Sequence, residues 1–107
     1  MGTSTKDLEA GKVDSIYQVY PCAVEACFQA VIDVARDSKY YVFMKDEVRG
    51  LVVLMNIPGF VDTTEVGVFF TELPKQQGVK IELSSRSSPA KKAVAKVLFS
   101  ELSGRFK

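Results

Sequence analysis

Apolar and polar positions change their period several times along this chain, and each change marks an element. Residues 1–13, "MGTSTKDLEAGKV", are small and polar without any period, and read as a flexible leader ahead of one domain spanning 14–107. "SIYQVY" (15–20) is short and rich in aromatic and β-branched residues, which predicts a strand, and Pro21 stops it. From Ala23 the spacing becomes helical. Val24, Cys27, Phe28, Val31 and Ala35 share one face, Glu25, Gln29, Asp33 and Arg36 lie opposite, and the helix is expected to end near Lys39.

Four strands are expected next: "YYVFMK" (40–45), "LVVLMNI" (51–57), "TTEVGVFFTEL" (63–73) and "VKIELSS" (79–85). In the third of these, Val66, Val68 and Phe70 share one side. In the fourth, Val79, Ile81 and Leu83 alternate with Lys80, Glu82 and Ser84, which predicts one wet face. A second helix closes the chain, with Ser88 as its N-cap, Pro89 at its first position and Gly104 fraying its last turn. Its apolar side carries Val94, Ala95, Leu98, Phe99, Leu102 and Phe106. The order β-α-β-β-β-β-α predicts an α+β fold, a five-stranded and mainly antiparallel sheet with both helices packed on one face.

Composition narrows the function more than the fold. At 107 residues, 47% hydrophobic and 25% charged, the chain fits one domain with its own core. A net charge of +1 supplies no field for nucleic acid, and none is expected as a partner. No apolar run approaches the ~20 residues that span a bilayer, and the leader has no hydrophobic stretch, so no signal peptide is expected in it. The absence of histidine excludes Ser–His and Cys–His nucleophile pairs within the chain, and His-ligated metal with them. Two cysteines do not make a four-thiolate site. No cofactor and no enzymatic activity are therefore expected.

"YPCAVEAC" (20–27) holds both cysteines. Cys22 and Glu25 have capping-box spacing, and Cys27 falls on the apolar stripe as a small buried hydrophobe. Two free thiols are preferred over a Cys22–Cys27 disulfide, since a bridge requires the chain to bend at the helix start. Cys22, at a helix N-terminus, is then the candidate reactive thiol. The turn with Asp46, Glu47 and Arg49 reads as a solvated hairpin rather than a carboxylate site, with Gly50 at positive φ. Lys91, Lys92, Lys96, Arg105 and Lys107 read as a solvated helix face rather than an anion-binding one.

Two apolar features are candidate contact sites for a protein partner. In "NIPGF", Ile57 and Phe60 around a Pro58–Gly59 turn either plug the core, which is preferred, or form a hydrophobic tip. In "LVVLMNI" both alternating sets are apolar, so the sheet is expected to show water an apolar second face through Val52, Leu54 and Phe69. A protein partner or a second copy is expected there, unless sheet twist or the folded-back leader hides it.

"IYQVYPCAVEACFQAVIDVARD", "KDEVRGLVVL", "TEVGVFFTEL" and "AVAKVLFSELSGRF" resemble small bacterial lipoprotein-like domains of uncharacterised function. They are similar in outline to the helix-grip domains of an outer-membrane assembly lipoprotein. The resemblance implies a periplasmic or envelope protein, with the cytoplasm left open, that meets the membrane only through an upstream lipid anchor. It also implies work by protein contacts rather than chemistry. The expected function is thus a non-enzymatic binding or structural module of the cell envelope. The alternative is a carrier of a small apolar ligand, held between the C-terminal helix and the sheet where Gly67, Ala90, Ala93 and Ala95 leave room.

Overall fold

A computed structural model describes residues 15–76 and 78–106; the expected leader lies outside the described residues. Among the described residues, five strands and two long helices form in the order β1 (Ile16–Tyr20), α1 (Val24–Asp37), β2 (Tyr41–Asp46), β3 (Leu51–Met55), β4 (Val66–Glu72), β5 (Val79–Ser84), α2 (Ser88–Arg105). The fold is α+β. The strands make one sheet in the order β1-β5-β4-β3-β2, and every neighbouring pair is antiparallel. The strands from β2 to β5 form a meander, and α1 carries the chain from one edge strand, β1, to the other, β2.

Both helices cover the same face. One buried cluster joins Phe28, Val31 and Ala35 of α1, Val94, Leu98 and Leu102 of α2, and Val52, Leu54, Val66, Val68, Phe70, Ile81 and Leu83 of the sheet. The buried arc of α1 is wider than the expected stripe and includes Ala30, Ile32 and Val34, because α1 packs against α2 as well as the sheet.

The helix ends are set by backbone geometry more than by side-chain signals. α1 stops at Asp37 through a Schellman arrangement in which Tyr40 N–H donates to Ala35 O at 2.9 Å and Lys39 N–H to Arg36 O at 3.0 Å. Lys39 holds the left-handed position, with φ 67°, that glycine fills in most such motifs. Its start also differs from expectation. The N-cap is Ala23, which makes no side-chain cap hydrogen bond, so the Cys22–Glu25 capping box does not form. In α2 the cap is Ser87 rather than Ser88: Ser87 Oγ accepts from Ala90 N at 3.3 Å, and Gly104 lies within the helix.

Two glycines are required where strands approach closely. Gly50, φ +67°, closes the β2–β3 turn, and a Cβ there would stand 2.7 Å from Phe70 O. Gly78, φ +118°, opens β5, and its Cβ would overlap Tyr20 O. The β1 end is pinned from the other side as well. Buried Tyr20 donates its hydroxyl to Phe99 O at 3.3 Å, lies 3.2 Å from Ser103 Oγ, and its ring packs beside Phe99 and Phe106.

Candidate functional site

The sheet's second face, turned away from the helices, is where the expected contact surface meets the coordinates. Its centre is a small apolar cluster, Leu51 and Val53 of β3 with Phe69 of β4, against which Met44 packs. These three are 1%, 3% and 6% exposed, so the centre of the face is already buried in a single chain.

This corrects the assignment of Val52 and Leu54. Both are fully buried on the helix side, because the register pairs Val52 with Val68 and Leu54 with Val66, two residues of the inward set. Phe69 faces the second side as expected but is covered. Ile57 is 2% exposed in the main core and Phe60 packs on that core, so the loop plugs the sheet end while Pro58 and Gly59 stay in water. Phe60 N–H donates to Ile57 O at 3.0 Å across that turn, with Gly59 at φ +89°. Gly67 alternates with inward Val66 and Val68, so it lies on the second face and opens no room beneath α2.

What the second face leaves in water lies at its two edges. On β1, Tyr17 and Val19 are 56% and 44% exposed, and Lys80 Nζ sits 4.6 Å from the Tyr17 ring centre. The same ammonium lies 3.9 Å from Glu82 Oε2, which also accepts from Ser15 Oγ at 3.0 Å. On β2, Tyr41 and Phe43 are each 53% exposed, with ring centres 6.4 Å apart in an edge-to-face pair. Tyr41 and Phe43, two positions apart, share a side by ordinary alternation, and the register shift between Val42 and Met44 turns Met44 onto the second face as well, opposite Val53. The segment "YYVFM" thus serves both sides, with Tyr40 and Val42 at the main core and Met44 against the second-face cluster.

Glu65 stands just ahead of β4. It is 5% exposed, its Oε2 meets no hydrogen-bond partner among the described residues, and burial pushes its carboxyl above the ordinary range. Its backbone is held: Ser85 Oγ donates to Glu65 O at 2.6 Å and accepts from Ser87 N at 3.1 Å. Elsewhere, the β2–β3 turn is a solvated hairpin in which Asp46 Oδ1 accepts from Arg49 N at 3.1 Å. Lys91 is buried and so leaves the solvated basic face, while Lys92, Lys96 and Arg105 remain exposed and Lys107 lies outside the described residues.

Cys22 is not a free thiol. It is bonded to Cys27 in a disulfide with Cα atoms 6.0 Å apart, which corrects the reading of a reactive thiol. The bend that seemed to oppose the bridge is supplied by Pro21 and Cys22, where Cys22 N–H donates to Tyr20 O at 2.9 Å ahead of the helix. Beside the bridge is a surface depression of 380 Å³ lined by Pro21, Cys22, Ala23, Glu72 and Gly78.

Among the described residues, no group of three or more His, Cys, Asp or Glu side chains is arranged to hold a metal ion, and no helix is long and apolar enough to cross a membrane. No protein-family model matches the chain, and no curated protein matches it at a significant level.

Leu51, Val53, Tyr17, Tyr41, Phe43 and Glu65 were not singled out by the sequence pattern. The strict alternation of β5 fixes which face is which, and pairing carries that parity across the sheet. The ten residues from Asn56 to Glu65 between β3 and β4 leave the register of β3 unspecified, so the parity could not be carried over.

Proposed function

We propose that the chain is a non-enzymatic binding or structural module of the bacterial cell envelope, and that it makes its protein contact through Tyr41 and Phe43. The observation that carries this reading is the exposed aromatic pair itself, two half-exposed rings held edge-to-face on an outermost strand. Large aromatic side chains dominate interface energetics because they bury much area at little entropic cost. The bulge within β2 blunts the strand as a template for simple strand addition, so the contact is made by side chains.

The compartment draws support from a different feature. Disulfides persist in oxidising compartments and are rare where thiol reductants prevail, and both cysteines of this chain are paired. The resemblance to lipoprotein-like envelope domains runs the same way.

The partner put forward is a second copy, whose matching rings would meet across a two-fold axis. Sedimentation velocity over about a hundredfold range of concentration tests it. A dimer that Phe43→Lys or Tyr41→Lys converts to monomer is the expected result. A monomer throughout, indifferent to both substitutions, overturns it. Native mass spectrometry of the same samples separates the ligand-carrier alternative, which requires a copurified small-molecule mass.

A further inference from the structure

The two ends of the disulfide are unlike. Cys27 is fully buried on the core side of α1, whereas Cys22 is partly exposed and lines the depression beside the bridge. Thiol–disulfide exchange requires the attacking sulfur to approach one sulfur along the S–S axis, with the other sulfur leaving. Two effects then compete over which sulfur is attacked. Leaving-group acidity favours expulsion of Cys22, since a sulfur next to a helix N-terminus is stabilised as thiolate while one in apolar surroundings is not. Access favours attack at Cys22 and expulsion of Cys27. Access decides, because a sulfur with no exposed surface offers no approach path at all while the fold is intact.

We propose that Cys22 is the site at which an external thiol opens this bridge, forming a mixed disulfide on Cys22 and releasing Cys27 into the core. The ligand class is a small thiol, or a dithiol reductant able to enter the depression. In the first step a thiolate RS⁻ bonds to the Cys22 sulfur, the Cys22–Cys27 bond breaks, and Cys27 leaves as thiolate and takes up a proton. In the second step another RS⁻ attacks the R-bearing sulfur, giving RSSR and the Cys22 thiolate. Two electrons pass from two thiols to the protein disulfide.

Between these steps Cys27 remains in place to re-attack, so the adduct on the wild-type protein is short-lived. Full opening has a structural consequence at the start of α1. Ala23 makes no side-chain cap hydrogen bond, so the bridge tethers the first turn together with the packing of Val24 on the core. This inference stands on the bridge alone and is independent of the aromatic contact proposed above.

The test exposes the folded wild-type chain to excess glutathione and quenches with acid. Cleavage after Glu25, which separates the two cysteines, then allows the adduct to be located by mass spectrometry. Glutathione on Cys22 with Cys27 as free thiol is expected. Glutathione mainly on Cys27, or a bridge that opens only at the rate of global unfolding, overturns the proposal. Labelling of single-cysteine variants with an aromatic disulfide reagent gives a second readout. Cys22 in Cys27→Ala is expected to react about tenfold faster or more than Cys27 in Cys22→Ala. Equal rates, with both variants folded by circular dichroism, overturn it as well.

Discussion

A buried carboxyl whose Oε2 has no hydrogen-bond partner among the described residues makes Glu65 a residue whose ionisation burial opposes. Its folded-state pKa is raised by burial, so the native chain holds this proton more tightly than the unfolded chain does. The stability linked to Glu65 is therefore full below the ordinary carboxylate range and is lost as pH rises through the folded pKa. Glu65→Gln keeps the shape and removes the ionisation. We expect the variant to resist urea better than the wild type at neutral pH, with the difference shrinking as the solution is acidified. A difference that is constant with pH would show that Glu65 does not titrate in this way. Nothing in the sequence marked this glutamate, since a carboxylate next to a strand reads as solvated until neighbouring elements enclose it.

Among the elements, α2 offers the clearest test of how local signals set boundaries. The sequence pattern points to Ser88 as the cap, but it is Ser87 that accepts from an N-terminal amide, that of Ala90. Ser87→Ala is expected to cost about 0.5–2 kcal/mol in chemical denaturation, and Ser88→Ala to leave the midpoint unchanged. The reverse ranking would place the cap where the sequence suggested. Element type and order were legible because the hydrophobic period switches cleanly between two and 3.6. Helix ends were less so. α1 ends at a left-handed lysine rather than a glycine, and begins at an alanine beside a covalent bridge, so neither end carries its usual residue.

At the scale of the whole molecule, the question is which apolar residues build the core and which remain available for contact. Leu54→Ala is expected to lower stability by about 2–5 kcal/mol while leaving the association state of the folded protein unchanged, whereas Phe43→Lys is expected to do the opposite. Parallel thermal melts and sedimentation runs distinguish the two, and a Leu54→Ala protein of undiminished stability would mean that β3 faces the other way. The layered arrangement of sheet and helices was legible; the parity of β3 was not, because Leu51, Val52, Val53 and Leu54 are all buried, on two different sides. Alternation carries no information where both faces are dry. The pinning of β1 also bears on the order of assembly. Its Tyr20 is anchored by Ser103, 83 positions downstream, and among the described residues its strand neighbour is β5. β1 is thus completed by contacts with elements far downstream in the chain. A chain lacking α2 would lose Phe99 and Ser103, the partners of the Tyr20 hydroxyl, and with β1 unmoored β5 would present a bare edge that invites aggregation.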